Sequence, residues 1–272
     1  MIDILFLGTA AAEGWPGVFC QCDYCSRARK FSGKDIRTRS SIMIGDKYKI
    51  DFPPDTYMHV LKYGLDLGQL EHLLITHSHS DHFYPADIGM RLAPFAHLKQ
   101  DRQLHIYGDT YVREGLEKEE ALDREGKVVF HLMESFVPVQ IGEMRVVPLK
   151  ANHFPRRNCF NYLLEAQDKT IFYGLDTGWF LDETWDVLSR TRLRLAILDC
   201  TLGPNSGFEY HMGIDAVIGT KEKLVEMGTA NEDTIFVATH FSHNGGLTHS
   251  QLEEAFSGAG ILVAYDGMQL SI

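Results

Sequence analysis

A histidine-rich segment directly after a short apolar run is the feature that most constrains this sequence. The segment THSHSDH follows the apolar run Leu73–Ile75, which predicts a buried β-strand. In an extended segment alternate residues face the same side, so His77 and His79 can converge on one metal ion while Asp81 and His82 turn towards a second. A solvated turn is the alternative interpretation, but three imidazoles and a carboxylate at these offsets favour a metal site.

Three more side chains of metal-binding type stand just beyond other predicted strands. A single histidine in such a place is more often a surface or core residue, but several matches in chain order indicate a site assembled at the strand ends. The residues are His153, Asp176 and His240, which follow or end the runs Met144–Leu149, Thr170–Tyr173 and Ile235–Thr239.

A cysteine cluster, formed by Cys20, Cys22 and Cys25, lies soon after the first predicted strand. Thiolates so close in sequence bind one ion with little loss of chain entropy, and three sulfurs need one more donor to complete the tetrahedron that zinc prefers. A disulfide and unpaired thiols are the alternatives. We expect no secretion signal, and a reducing compartment favours zinc over a disulfide. Cys159 and Cys200 are expected to be small buried side chains.

The pattern HxHxDH is the signature of the metallo-β-lactamase superfamily, which this sequence resembles. The resemblance implies an αββα sandwich of class α/β (α+β), with two mixed β-sheets packed face to face and flanked by helices. It also implies two divalent catalytic cations, Zn²⁺ or Mn²⁺, since histidine and carboxylate ligands accept both. The charges of two such ions should favour an anionic substrate. The implied ligands are His77, His79 and His153 for one ion, Asp81, His82 and His240 for the other, and Asp176 as the bridge.

Further features narrow the resemblance to the PhnP-type phosphodiesterases, which hydrolyse phosphoribosyl cyclic phosphate. These are the cysteine cluster after the first strand, the run THFSH ending at His243, and the closing run Asp266-Gly267-Met268. The resemblance implies that His243 is the fourth ligand of a structural Zn²⁺ in the cysteine cluster, a polar rim residue being the alternative. A zinc-binding loop at about 15–30 would then be tied to the rim of the active site.

His211 is the candidate proton donor to the leaving group. It lies between the strand predicted to end at Asp199 and the helix predicted to start near Ile214, at a position that resembles the PhnP-type histidine assisting leaving-group departure. We expect the helix N-terminus to lower the pKa of His211 and an arriving phosphate to raise it. A surface histidine is the alternative. The predicted catalytic residues are thus His211 and Asp81.

Composition limits the remaining function classes. The chain has 272 residues, 44% of them hydrophobic, and no linker-like tract, which predicts a single domain over residues 1–272. A formal net charge of −11 argues against long nucleic acid as a partner. No segment reaches membrane-spanning length, so we expect a cytoplasmic protein without a membrane partner, and a homodimer stays open. The basic residues between Arg27 and Arg39, and the pair Arg156 and Arg157, either contact a substrate phosphate or face solvent, and solvent is favoured for the first group.

Many strand-like runs with helical runs between them predict two packed sheets covered by helices. The run from Thr248 to Gln251 predicts a helix capping box. The run Asp51-Phe-Pro-Pro-Asp55 departs from the short Asp-x-Gly turn of the superfamily, which leaves the floor of the pocket open to change. Predicted strands are Ile2–Leu7, Ser41–Ile44, Lys47–Ile50, Leu73–Ile75, Gln103–Tyr107, Val128–Leu132, Met144–Pro148, Phe160–Glu165, Thr170–Tyr173, Leu195–Asp199, Ile235–Ala238 and Ile261–Ala264, and predicted helices are Thr56–Tyr63, Glu183–Arg190, Ile214–Met227 and Gln251–Phe256.

Together these features predict a metal-dependent hydrolase of a small cyclic phosphate or related phosphodiester, acting through a hydroxide that bridges the two ions. A lactone or thioester hydrolase would use the same dinuclear site. A PqqB-like accessory metal-binding protein shares a cysteine-rich N-terminal loop. A tRNA-processing nuclease is disfavoured by the net acidity and by the lack of a long basic insertion.

Overall fold

Two mixed β-sheets lie at the centre of the protein. They are seen in a computed structural model that describes residues 1–100, 102–123, 126–154 and 158–272. The strands are β1 (Asp3–Gly8), β2 (Ser41–Ile44), β3 (Tyr48–Ile50), β4 (His72–Leu74), β5 (Leu104–Gly108), β6 (Val128–Leu132), β7 (Val139–Ile141), β8 (Met144–Lys150), β9 (Phe160–Ala166), β10 (Lys169–Gly174), β11 (Leu195–Asp199), β12 (Ile235–Thr239), β13 (Leu262–Val263) and β14 (Gln269–Ser271). The α-helices are α1 (Asp23–Phe31), α2 (Thr56–Tyr63), α3 (Thr110–Lys118), α4 (Asp182–Leu188), α5 (Ile214–Glu226) and α6 (His249–Phe256).

The strand order gives both sheets the same plan. The first sheet runs β14-β1-β2-β3-β4-β5-β6 and the second β13-β12-β11-β10-β9-β8-β7. Strands β3 to β6 are parallel to one another, and so are β10 to β13, whereas the remaining pairs are antiparallel. Parallel strands end at the same edge of a sheet, so loops after β3, β4, β10, β11 and β12 gather there.

Apolar side chains from both sheets fill the space between them. Phe6 of the first sheet and Tyr162 of the second are among the fully buried residues of this inner core. Helices cover the outer faces: α5 packs Val217 and Leu224 against the second sheet, at the i, i+7 spacing of one helical face. Burial of each such side chain contributes about 1.5–3 kcal/mol. The αββα sandwich expected from the sequence is confirmed.

Periodicity located most of these elements. The strands predicted at Ser41–Ile44, Val128–Leu132 and Leu195–Asp199 and the helix at Thr56–Tyr63 have the predicted bounds. The capping box is present, with the Thr248 side chain and the Gln251 side chain bonded reciprocally at the start of α6.

Four elements were missed, and α1 corrects the prediction of a loop at about 15–30. Residues Asp23–Phe31 form a helix that buries only Cys25 and Ala28, so its apolar stripe was too narrow to recognise. The Cys22 side chain caps it by accepting a hydrogen bond from the backbone N–H of Cys25, a role that sulfur seldom plays. Helix α3 is amphipathic but polar on average, and β7 and β14 are three-residue edge strands.

None of the helices in the described ranges combines the length and apolar character that a membrane span requires.

Candidate metal centre

The histidine-rich segment leaves the end of β4 and turns its ligand atoms into one pocket. His77 is buried, and its Nε2 lies 2.9 Å from Nδ1 of His79. His153, which follows β8, places its Nε2 3.4 Å from the same Nδ1. One nitrogen of each of these three rings lies within 4.8 Å of the others, so the three form the first ligand group.

A second ligand group lies beside the first and consists of Asp81, His82, Asp176 and His240. The Nε2 atom of His82 is 3.3 Å from Oδ2 of Asp81 and 2.7 Å from Oδ2 of Asp176. The Nε2 atom of His240 lies 3.3 Å from Nε2 of His82. All four residues are buried. Imidazole nitrogens and carboxylate oxygens that converge in a buried place form the arrangement that a divalent cation requires.

Asp176 stands between the two groups. Its Oδ2 is 3.3 Å from Nε2 of His77 in the first group and 2.7 Å from Nε2 of His82 in the second, while its Oδ1 is 3.5 Å from Nε2 of His240. Burial raises the pKa of Asp176, but the neighbouring imidazoles of His240 and His82 outweigh it and hold the pKa well below its ordinary value. A carboxylate that faces two donor clusters at once fits a bridging position between two cations.

The backbone is strained at three points of this centre. Asp51, Asp176 and His240 have φ angles of 61°, 47° and 63°, in the left-handed region that side-chain-bearing residues rarely adopt. Each costs about 1–3 kcal/mol, and such strain persists where the surroundings fix it, most often at functional sites. Here it turns the side chains inwards at the strand ends.

Asp51 orients His82 and was not identified as a site residue from the sequence. Its Oδ2 lies 2.6 Å from Nδ1 of His82, and its Oδ1 accepts hydrogen bonds from the backbone N–H and the hydroxyl of Thr76 at 2.8 and 2.9 Å. A hydrogen bond to the second ring nitrogen fixes which nitrogen faces the site. The signal was available, since Asp51 directly follows β3, the parallel neighbour of β4. Asp55 at the end of the unusual run instead pairs with Arg39 at 3.0 Å.

Asp199 and Thr201 support the other side of the centre and were also missed. The Thr201 hydroxyl lies 2.7 Å from Nδ1 of His240, and Oδ2 of Asp199 accepts the backbone N–H of Asp176 at 3.1 Å. Asp199 is fully buried at the end of β11. The sequence placed Asp199 at a strand end, but only the sheet order sets that end between the ends of β10 and β12.

His211 lies at the exposed side of the second ligand group. Its Nδ1 is 3.4 Å from Oδ1 of Asp176 and 3.4 Å from Oδ2 of Asp199, and its ring stacks on that of His240 with centroids 6.0 Å apart. Burial lowers the pKa of His211, but the hydrogen bond and charge of Asp199 and the charge of Asp176 outweigh it and raise the pKa to about 9. The expectation that the N-terminus of α5 lowers this pKa was therefore wrong, because two carboxylates lie closer to the ring.

The cysteine cluster meets His243 as a fourth donor. Nδ1 of His243 lies 3.6 Å from Sγ of Cys22 and 3.8 Å from Sγ of Cys20, and Cys25 completes a group whose ligand atoms lie within 4.8 Å of one another. All the cysteines are free, and Cys159 and Cys200 are buried as expected. Three sulfurs and one imidazole nitrogen match the donor set of a tetrahedral zinc site.

Glu13 supports His243 from the opposite side of its ring. Its Oε1 lies 3.6 Å from Nε2 of His243 and accepts a hydrogen bond from the hydroxyl of Ser242. A carboxylate behind a metal-binding imidazole orients the ring. His243 and His240 stand three positions apart, so one short segment reaches both the cysteine cluster and the second ligand group.

The basic residues between Arg27 and Arg39 do not form one solvated surface. Arg27 and Lys30 are exposed, but Arg37 is 2% exposed and its guanidinium bonds to Thr9 and to the carbonyl of Ala264 at 2.7 and 2.6 Å. The solvent interpretation was thus wrong for Arg37, which joins distant segments. The pair at 156 and 157 lies outside the described residues.

Comparison with known proteins agrees with the class that this fold and centre define, a metal-dependent hydrolase. Residues 54–241 match the family model described as "Beta-lactamase superfamily domain", and the chain belongs to that family. No curated protein matches the sequence.

Solved structures show the same fold along the whole chain. A diphosphatase of the PhnP family has a TM-score of 0.78 at 22% identity, covering 100% of this chain and 98% of its own. Zn²⁺-bound PqqB from Methylobacterium extorquens has a TM-score of 0.76 at 17% identity, covering 99% and 100%. The short form of human tRNase Z has a TM-score of 0.66 at 18% identity, covering 99% of each chain. The resemblance to the metallo-β-lactamase superfamily is therefore confirmed, and the fold is similar to that of the PhnP-family diphosphatase.

Proposed function

We propose that this protein is a metal-dependent phosphodiesterase acting on a small cyclic phosphate or a related phosphodiester. The observation that carries the proposal is the Asp176 carboxylate, which lies within 3.3 Å of ligand nitrogens from both groups. Such a shared carboxylate would serve as a ligand of two divalent cations, which would supply charge stabilisation for a displacement at phosphorus.

The proposal assigns each ligand residue to one of the two ions, except Asp176, which is assigned to both. The bound divalent cations, Zn²⁺ or Mn²⁺, would supply Lewis-acid activation of a water molecule and of the phosphoryl oxygens. The protein holds them in a buried pocket, orients His82 through Asp51 and orients His240 through Thr201. The ligands are His77, His79 and His153 for one ion, Asp81, His82 and His240 for the second, and Asp176 for both.

His211 suits the role of general acid. It reaches the exposed side of the centre beside Asp176, and the Asp199 carboxylate, 3.4 Å from its Nδ1, favours the protonated imidazole. The alkoxide that leaves a phosphodiester needs a proton, and a positioned acid contributes about 10²–10⁴-fold to such a step. A cationic imidazole also favours a small anionic substrate over a neutral lactone or thioester, whereas the net charge of −11 disfavours long nucleic acid.

Hydrolysis by metal-reconstituted protein tests the proposal. Apo protein is loaded with Zn²⁺ or Mn²⁺ and assayed on bis(p-nitrophenyl) phosphate, ribose cyclic phosphates, cyclic nucleotides, a lactone and a thioester. We expect turnover of the phosphodiesters with either ion and none with the chelated protein. Lactone or thioester turnover exceeding that of every phosphodiester would contradict the substrate class. Full metal occupancy without any hydrolysis would instead favour an accessory metal-binding protein.

The cysteine cluster and His243 are proposed as the ligands of a structural Zn²⁺. Burial raises the pKa of the Cys25 thiol, so its thiolate depends on the charge of an ion beside it. We expect Cys25→Ser to lower zinc content by one ion per chain and to lower the melting temperature by several degrees, since 1 kcal/mol shifts Tm by about 2–4 °C in a domain of this size.

Metal analysis and thermal unfolding check this prediction, with Cys159→Ala as the matched control. Cys159 is a buried cysteine outside the cluster, so its variant should keep the zinc ion of the cysteine cluster. Equal zinc content in Cys25→Ser and the control protein would refute the structural site.

A further inference from the structure

Lys49 is a lysine buried in an apolar layer. It lies on β3 with no exposed surface, and its neighbours in the sheet register are Met43 and Leu73, both members of the outer core of the first sheet. Burial lowers the pKa of Lys49 to about 7, which reflects the cost of keeping the ammonium group away from water. An apolar side chain of similar length would avoid that cost.

The amine of Lys49 is directed at the backbone of Asp51. Its Nζ donates a hydrogen bond to the carbonyl oxygen of Asp51 at 2.7 Å and another to the hydroxyl of Ser41. The Ser41 hydroxyl lies 3.0 Å from the same carbonyl oxygen and 2.8 Å from that of Ile50. The carbonyl of Asp51 is buried where the chain leaves β3, so without these donors it would remain unsatisfied.

This contact coincides with the strained backbone that aims Asp51 at the metal centre. Asp51 has a φ of 61°, and its carboxylate then reaches Nδ1 of His82 at 2.6 Å and the backbone N–H of Thr76 at 2.8 Å. An extended conformation at Asp51 would instead direct the side chain towards one face of the sheet, as in any strand. The conformation therefore needs an external partner that holds the carbonyl in place.

We propose that Lys49 is a positioning residue of the metal centre, which holds the Asp51 backbone so that the Asp51 carboxylate can orient His82. The inference rests on the proposed function in one respect, that His82 binds a metal ion. It concerns metal binding and does not depend on which substrate is hydrolysed.

Stability and metal affinity separate this role from a structural one. If Lys49 only fills space, Lys49→Met should leave metal binding unchanged, because replacing a buried charge by an apolar group is often neutral or stabilising. If Lys49 positions Asp51, the variant should hold its Tm or raise it and yet bind the second ion about tenfold more weakly, the lower end of the effect of removing a partner behind a ligand.

The test compares Lys49→Met with Lys47→Met. Lys47 lies at the same hairpin, and its side chain is about half exposed, so its variant should behave as the wild type. Each protein is loaded with Zn²⁺, titrated with a chromophoric chelator and unfolded thermally in the metal-free form. Lys49→Met and Asp51→Asn should both lower the affinity for the second ion. The double variant should have no lower affinity than Asp51→Asn alone, since the effects of groups that act through one another are not additive.

Ser41→Ala removes only the bridging hydroxyl and replaces Lys49→Met as the test variant if Lys49→Met does not fold. It should weaken the binding of the same ion to a smaller degree. Wild-type ion affinity in folded Lys49→Met, or in Ser41→Ala when Lys49→Met is unfolded, would overturn the positioning role. Additive losses in the double variant would also overturn it. Absence of phosphodiester turnover in the wild type, with the affinity pattern intact, would contradict the proposed function and leave this inference standing.

Discussion

Asp176→Asn is expected to lower phosphodiester hydrolysis by at least about a thousandfold and to reduce occupancy of both metal positions. The carboxylate faces His77 of the first ligand group and His82 of the second, so both positions lose the same negative charge. Removing several kcal/mol of charge stabilisation at a two-ion centre corresponds to a loss of this size, since each 1.36 kcal/mol changes the rate tenfold. Asparagine has nearly the same shape, which keeps the packing and isolates the charge.

Metal content and kcat measured on the same preparations check this result. Asp168→Asn is the matched control, because Asp168 is an exposed residue at the opposite end of β10 and should leave both quantities unchanged. Asp81→Asn provides a contrast: among the described residues Asp81 belongs to the second ligand group and not to the first, so we expect the variant to lower the rate and to release one ion. Full occupancy of both positions in Asp176→Asn would be incompatible with a bridging carboxylate.

His211→Ala is expected to retain both metal ions and to lower turnover of substrates with poor leaving groups by about 10²–10⁴-fold. The loss should be small for aryl phosphodiesters whose phenolate leaves without help. The reason is the position of His211, which lies at the open side of the centre beside Asp176 and has the Asp199 carboxylate 3.4 Å from its Nδ1. The acid therefore matters only when the leaving oxygen needs a proton.

A series of phosphodiesters with leaving groups of increasing basicity measures this dependence. The rate of the variant should fall more steeply with leaving-group basicity than that of the wild type. His97→Ala is the control, because His97 is exposed and outside both ligand groups. An equal loss on good and poor leaving groups would exclude the proton-donor role and point to a role in binding.

The short segment from His240 to His243 connects the two proposed metal sites. His240 belongs to the second ligand group and His243 to the cysteine cluster, while Phe241 between them accepts a backbone hydrogen bond from Ala11 at 3.0 Å. The cation of Arg37 also lies over the Phe241 ring, 4.5 Å from its centroid. A structural zinc ion in the cysteine cluster would therefore restrain the position of His240, because His240 stands only three positions before His243 in the chain.

Local patterns were sufficient for the elements whose residues alternate or repeat within a short window. The parallel strands β4 and β11 read as apolar runs, and α5 shows its buried face at helical spacing. Helix α1 shows no such pattern in the sequence, because it buries only two of its residues and is capped by a cysteine. The pKa of His211 was wrongly expected to fall, since a helix terminus is visible in sequence whereas two carboxylates from other strand ends are not.

The sequence by itself determined the donor chemistry: the spacing of His77, His79, Asp81 and His82 fixes which groups one loop can present, because alternation in an extended chain is a local property. Only the tertiary structure decided which distant groups complete and orient that site. Asp51 and Asp199 reach His82 and the Asp176 backbone through the order of strands in two sheets. That order follows from burial and pairing over the whole chain, and no short window of sequence records it.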